Sequence, residues 1–256
     1  MTALVTGAAR RLGRAMALEL ARQGHDVAIH YDRSQPEAQQ VAAQARALGV
    51  QAQVFQADLL DEPAASGLLP AVAAAMGPVT VLVNNASIFE YDNIHTATRD
   101  SWDRHIGSNL RAPFLLAQAM AAQGLTPDRL ASEPLATGLI VNMLDQRVLK
   151  PTPEFMTYSL AKAGLWALTR TLAQALAPAI RVNAIGPGPT LRGARQSQQH
   201  FNSQRAATIL QRGADADDVT AALTFLLGAK SVTGQLICTD GGQHLGWQTP
   251  DVRGVE

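Results

Sequence analysis

Ala3-Leu4-Val5-Thr6-Gly7-Ala8-Ala9-Arg10-Arg11-Leu12-Gly13 is the stretch that decides the fold. A short apolar run ends in a glycine, a second glycine follows six residues later, and apolar residues at helical spacing (Leu12, Ala15, Met16, Leu20) begin at once. That order predicts a strand, a tight turn and a helix. Gly7 lets the chain turn sharply against a phosphate, and Gly13 lets helix and strand pack closely. The unsatisfied N–H groups at the helix start suit a pyrophosphate. Where a dinucleotide fingerprint has its middle glycine, this chain has Arg11. Its backbone therefore approaches a ligand less closely, while a guanidinium comes within reach of phosphate oxygens.

Outward from this unit, further apolar runs predict strands near Val27 to Tyr31, Gln53 to Gln56, Val79 to Val83, Gly138 to Met143, Arg181 to Ile185 and Gln235 to Cys238. Helical patterns separate them, such as Leu165, Leu168, Leu172 and Leu176. Continuous apolar runs mean strands covered on both faces, hence a parallel sheet. The expected architecture is a single α/β domain over residues 1–256, a Rossmann-like doubly wound parallel sheet of about seven strands with helices on both faces. The uncharged stretch Gly67 to Val83 is expected to be broken by Pro70 and Gly77-Pro78 into a helix end and a buried strand, not a membrane span. The least regular stretches are Gln123 to Thr137 and Pro187 to Arg205. The second follows the carboxyl end of a strand, where ligands bind in such sheets, and is a candidate substrate lid.

A chain of 256 residues can bury a sizeable core without staples. Its 21 basic and 21 acidic residues cancel, which excludes a nucleic-acid binder working by bulk charge and leaves room only for a local basic cluster. One cysteine, Cys238, excludes an intrachain disulfide or a thiolate zinc site and reads as a small core hydrophobe. No metal ligand set is expected. The segment Met1 to Gly7 has no leader-like character, so a cytoplasmic protein is expected.

The second strand ends His30-Tyr31-Asp32-Arg33-Ser34. An acidic residue there would accept from the ribose 2′-hydroxyl of NAD, whereas Arg33 and Ser34 suit the 2′-phosphate of NADP. Asp32 and Arg33 point in opposite directions; with Arg10 added at the same corner, NADPH is the expected cofactor, the other reading being solvated loop charges. Asp58, beside Leu59 after the third strand, is placed either to accept from the adenine amino group or to cap a helix.

Tyr158-Ser159-Leu160-Ala161-Lys162 sets a phenol and an ammonium at i and i+4 on one helix face. The chain has only three tyrosines and three lysines, which gives the spacing weight. A neighbouring cation favours phenolate, so Lys162 is expected to lower the Tyr158 pKa and make it a proton donor or acceptor for a carbonyl or imine. A surface cation beside a half-buried ring is the bland alternative.

Together with Asn84-Asn85-Ala86, Asn109-Leu110, Pro187-Gly188, Thr233-Gly234 and Asp240-Gly241-Gly242, these motifs resemble the short-chain dehydrogenase/reductases over essentially the whole chain. The resemblance implies that Asn109 holds a water in a proton relay, that Lys162 also binds the nicotinamide ribose, and that Pro187, Gly188 and Thr190 line the nicotinamide. It further implies a homotetramer.

The departures narrow the expectation. Asp145 stands thirteen residues before Tyr158, where most members of the family have a catalytic serine. Ionised, a carboxylate there accepts from an amino or ring N–H group and cannot donate to a carbonyl. Arg11, the His30-to-Ser34 segment, Asn85-Ala86-Ser87-Ile88-Phe89 and Asp145 together resemble pteridine reductases and dihydromonapterin reductases. By that resemblance Phe89 stacks on a flat pterin, Ser87 and Arg11 bond pterin and cofactor phosphates, and Asp145 works with Tyr158. An aromatic wall with a polar edge group is what a flat, nitrogen-rich ring needs. Two other readings stay open: a general carbonyl or 3-oxoacyl reductase, and a non-catalytic NADPH sensor. His25, His95, His105, His200 and His244 fall in no motif and read as surface or core residues.

Overall fold

The computed structural model describes residues 1–129, 133–193 and 196–249. Seven parallel strands form one sheet: β1 Thr2–Val5, β2 Asp26–Tyr31, β3 Ala52–Gln56, β4 Val79–Asn84, β5 Gly138–Met143, β6 Ile180–Pro187 and β7 Leu236–Thr239. Their spatial order is β3-β2-β1-β4-β5-β6-β7. The chain winds outward from β1 to one edge, returns, and winds from β4 to the other, so the switch point lies between β1 and β4.

The helices are α1 Arg11–Arg22, α2 Gln35–Ala47, α3 Glu62–Met76, α4 Arg99–Ile106, α5 Ala112–Ala122, α6 Met156–Ala175, α7 Gln198–Ala206 and α8 Ala216–Gly228. Strand residues alternate between two cores because successive side chains leave opposite faces of a sheet. Ala3, Val5, Val27, Ile29, Val83 and Val141 pack against Met16, Leu20, Val41 and Leu223 of α1, α2 and α8. Leu4, Ala28, Leu82, Ile140 and Val182 pack against Leu69, Val72, Leu116 and Met120 of α3 and α5, and Ala173 of α6. Both faces being covered accounts for the continuous apolar runs.

Two local expectations need correction. Pro70 does not break a helix but lies inside α3; Gly77 ends it. The proline removes one backbone donor, and the apolar face of Leu68, Leu69 and Val72, buried against the sheet, holds the helix through that loss. The stretch Pro187 to Arg205 is not wholly irregular, since α7 begins within it at Gln198. The Ser197 hydroxyl accepts from the His200 amide and caps that helix. Residues 250–256 lie outside the described residues, as do 194 and 195 of the lid stretch. No helix among the described residues is long and apolar enough to cross a membrane.

Candidate active site

Two connected clefts lie at the carboxyl ends of the strands, over the switch point. The first, of about 560 Å³, is lined by Gly7, Arg10, Arg11, Leu12, Gly13, His30, Asp32, Arg33, Asp58, Leu59, Asn85, Ala86 and Ser87, among others. The second, of about 290 Å³, is lined by Arg11, Leu12, Asn85, Ser87, Phe89, Asp145, Tyr158, Lys162, Pro187, Gly188 and Thr190. Arg11, Leu12, Asn85 and Ser87 belong to both, so the clefts form one path from the first turn to Tyr158.

The first turn is held from three sides. Gly7 has φ +60°, and a Cβ there would lie 3.1 Å from the Ala86 Cα. A Cβ on Gly13 would collide with the Gly7 carbonyl oxygen and stand 2.6 Å from Asn85 Nδ2. Thr6 Oγ1 accepts from the amides of Asn85 and Ala86, both at 2.9 Å, while Asn85 Nδ2 donates to the Thr6 carbonyl at 2.8 Å. The Gly7 amide donates to His30 Nδ1 at 3.0 Å, so the proton sits on Nε2, which donates to the Ala57 carbonyl at 3.1 Å. Burial pushes the His30 pKa down, in keeping with that neutral ring. His30 and Asn85 thus act on the first cleft as struts for the turn. Helix α1 starts with no acidic residue in its first turn, leaving its positive end open to an anion.

At the outer corner Arg10 pairs with Glu37 and Arg33 with Asp32 at 3.3 Å. Two expected residues do not reach the cleft. Tyr31 is buried in the core, because its position in β2 turns its ring toward α2. Ser34 is the residue preceding α2 and does not line the cleft. Asp58 does line it, and the capping alternative fails: Asp58 Oδ1 accepts from the Leu60 amide in a turn, and Asp61 caps α3.

In the second cleft the Tyr158 hydroxyl donates to Asp145 Oδ2 at 3.1 Å. Asp145 Oδ1 accepts from the Arg147 amide at 2.9 Å, and the Arg147 guanidinium stands 3.7 Å from Oδ2. Burial, and then the Asp145 charge, push the Tyr158 pKa well above the usual tyrosine value. The expectation that Lys162 lowers it is therefore overturned. Lys162 Nζ donates to the Met143 carbonyl at 2.8 Å and lies 5.7 Å from the phenol ring centroid. Burial lowers the lysine's own pKa to about 8.

Phe89 is 44 % exposed, stacked on Phe155 with centroids 4.3 Å apart and edge-on to Tyr158 at 4.7 Å. It is a wall of the second cleft and not a core residue. Arg11, at φ +54°, donates to the carbonyls of Leu191 and Arg192, both at 2.9 Å, and so ties the first turn to the lid stretch. Asn109 falls in a π-helical turn, Gly107–Arg111, between α4 and α5. Fully buried, it spends both ends of its amide on the Ile88 backbone.

Sequence reasoning missed Leu191, Gln196 and Phe201 of the lid, and Ala57, Arg104 and Ser108 in the first cleft. Only the lid had a sequence signal, its place after β6. Among the described residues no group of three His, Cys, Asp or Glu side chains is arranged to hold a metal ion.

A family model described as enoyl-(acyl carrier protein) reductase matches residues 7–244. The 3-oxoacyl-(acyl-carrier-protein) reductase FabG of Staphylococcus epidermidis is 32% identical over 249 residues, covering 95% of this chain and 99% of the relative. The crystal structure of FolM alternative dihydrofolate reductase 1 from Brucella suis in complex with NADP superposes with a TM-score of 0.89 at 43% identity, covering 98% of each chain. A short chain dehydrogenase from Burkholderia cenocepacia, also in complex with NADP, superposes with a TM-score of 0.84 at 35% identity, covering 94% of this chain and 96% of that one.

Proposed function

The chain belongs to the short-chain dehydrogenase/reductase family, and from that premise we propose that it is an NADPH-dependent reductase of a pterin, converting a dihydropterin to a tetrahydropterin. The observation that carries the reading is the Tyr158–Asp145 hydrogen bond beside the exposed Phe89 ring in one cleft. A serine in place of Asp145 would donate to a ketone oxygen; a carboxylate accepts from the amino and ring N–H groups of a pterin. The NADP complexes of the FolM proteins from Brucella suis and Brucella canis support both parts of the reading.

The first cleft fits the cofactor by its own geometry. Gly7 and Gly13 keep the first turn tight, since a Cβ at either would meet Ala86, Asn85 or the Gly7 carbonyl, and the start of α1 has neither a side-chain cap nor an acidic residue to compete with a phosphate. Arg11 would hold the phosphates, Arg10 and Arg33 the 2′-phosphate, and Asp58 the adenine edge. Lys162 would hold the nicotinamide ribose, with Pro187, Gly188 and Thr190 beside the ring. NADPH bound there supplies a hydride to a C=N carbon of the substrate.

Phe89 packs on the flat face of the pterin and Asp145 accepts from its N–H edge. Tyr158 holds a proton at Oη and delivers it to the ring nitrogen, directly or through a water. With its pKa raised by burial and then by the Asp145 charge, the Tyr158 phenol holds its proton until the reduction draws on it. The enzyme is further proposed to be cytoplasmic and, as the family resemblance implies, a homotetramer; light scattering against four times the 27.1 kDa chain checks the tetramer.

The FabG relative favours a second reading, reduction of a 3-oxoacyl or other carbonyl group. Following NADPH oxidation with dihydromonapterin, dihydrobiopterin and dihydrofolate, alongside a 3-oxoacyl thioester, separates the two. Turnover of a dihydropterin is expected. No turnover of any pterin together with good turnover of the thioester would refute the proposal.

A further inference from the structure

His105 lies wholly buried on α4, outside every sequence motif. Its ring is engaged at both nitrogens. The Glu90 amide donates to Nε2 at 3.1 Å, which leaves Nε2 as an acceptor and puts the ring proton on Nδ1. Nδ1 then donates to the Thr157 hydroxyl at 2.7 Å, and that hydroxyl donates in turn to Asp92 Oδ2. Asp92 is 1 % exposed and also accepts from the Thr157 amide at 3.1 Å and the Ser101 hydroxyl at 3.0 Å. Each group in the series has one direction available to it.

Each of the two bonds that His105 makes falls one residue from a group that lines the second cleft. Glu90 follows Phe89, the aromatic wall, and Thr157 precedes Tyr158, the proton donor. On the near side of the wall, Asn109 grips Ile88 through both its amide and its carbonyl. The backbone around Phe89 is thus held by two buried side chains one helical turn apart. Phe155, the residue preceding α6, has φ +55° and makes no side-chain cap, so Asp92 supplies the cap for that helix from another segment. The His105 ring also meets the Tyr158 ring edge-on, with centroids 6.0 Å apart.

We infer that His105 is a positioning residue, a neutral two-ended strut that sets the distance between the Phe89 wall and the Tyr158 hydroxyl. It touches neither substrate nor cofactor. Its role rests on the reading of Phe89 and Tyr158 as the working groups of a reductase. Burial, the largest influence on the ring, lowers the His105 pKa, against the Asp92 and Glu90 charges that raise it and with Arg104 lowering it further. The ring therefore stays neutral and keeps its acceptor for Glu90.

The two ends can be cut separately. The amide of His105→Gln reaches the Nε2 position and keeps an acceptor for Glu90. The amide of His105→Asn reaches the Nδ1 position and keeps a donor for Thr157. His105→Leu removes both. Hydrogen exchange of the peptide covering residues 86–93 is read first, in the absence of substrate. Exchange is expected to quicken about tenfold in the Leu and Asn variants and to stay near wild type in the Gln variant, as expected for loss of one buried hydrogen bond.

Steady-state kinetics with the best dihydropterin are read next. The Asn variant is expected to raise KM about tenfold with kcat little changed, because the wall is loosened. The Gln variant is expected to lower kcat about tenfold with KM held, because the donor is misplaced. NADPH affinity, measured by fluorescence, should stay within twofold in both. If Gln and Asn behave alike in exchange and kinetics, or if all effects merely follow the loss of melting temperature, His105 is only packing and the inference falls. Should the Asn and Gln variants not fold, Thr157→Val is used for the Tyr158 end, with a kcat loss expected and an unchanged kcat overturning it. If wild type turns over no pterin, the functional reading fails, and the exchange pattern alone decides the inference.

Discussion

Replacing Lys162 by methionine should cost the enzyme its activity while relieving its fold at neutral pH. The ammonium is 2 % exposed, and burial lowers its pKa from 10.5 to about 8. At 1.36 kcal/mol per unit, that shift corresponds to a destabilisation of about 3 kcal/mol carried by the charged lysine. Below pH 8 both the folded and the unfolded chain hold the proton and the cost is present in full. Between pH 8 and 10.5 the folded chain releases its proton first, so the cost fades as pH rises. Methionine removes this pH-dependent contribution but also orphans the Met143 carbonyl, now bonded at 2.8 Å, at a pH-independent cost of roughly 1–3 kcal/mol. The stability difference between variant and wild type should therefore move by about 3 kcal/mol, in favour of wild type, from pH 7 to the alkaline end. In melting temperature this is roughly 6–12 °C for a chain of this size. Urea unfolding of both proteins without cofactor, at one fixed protein concentration and at pH 7 and 10, measures it. A difference that does not change with pH would refute the claim that burial strains Lys162.

Three other substitutions follow from the same geometry. Asp145→Ser should lower pterin turnover by roughly a hundredfold, the loss of about 3 kcal/mol from a charged hydrogen-bond acceptor, while keeping or raising turnover of a ketone; paired steady-state assays check it. Gly13→Ala drives a Cβ into the Gly7 carbonyl and Asn85, and should destabilise the fold by roughly 1–3 kcal/mol and weaken NADPH binding at least tenfold, seen by urea unfolding and fluorescence titration. Arg33→Ala should raise KM for NADPH about tenfold with KM for NADH within twofold; equal effects on both cofactors would remove Arg33 from the 2′-phosphate site.

The central strands were legible because each is a short apolar run covered on both faces, where hydrophobicity alone marks the segment; the edge strands β3 and β7 are less buried, and β3 carries Gln53 and Gln56. The first turn was legible for a similar reason: Gly7 and Gly13 sit where a Cβ would meet backbone. What stayed hidden were side-chain directions set by tertiary context. The sequence places Tyr31 beside Asp32 and Arg33, yet alternation along β2 sends its ring into the core. Asn109 belongs to a motif, but its engagement with Ile88 depends on the π-helical turn that carries it. The contacts of Leu191, Gln196 and Phe201 come from a segment whose path is fixed partly by Arg11, residues far away in the chain. His105 had no signal at all, since a lone histidine in a helix has the same local pattern whether it fills a core or joins two loops.

The reversal at Tyr158 follows from one fact that spacing cannot express. Four residues along a helix put a lysine and a tyrosine on one face, which says that a cation is near but not where its charge points. Here Nζ turns to the Met143 carbonyl, 5.7 Å from the phenol ring centroid, while the hydroxyl meets a carboxylate at 3.1 Å. The nearest full charge on the phenol is therefore negative, and burial acts in the same direction, so the proton is held on oxygen. A chain with serine at position 145 would lack that negative partner and leave the phenol easier to ionise. On the proposed function Asp145 would do two things at once: accept from a nitrogen-rich substrate and keep on Tyr158 the proton that a C=N reduction consumes. A phenol held protonated beside a carboxylate keeps a proton in place for the proposed reduction.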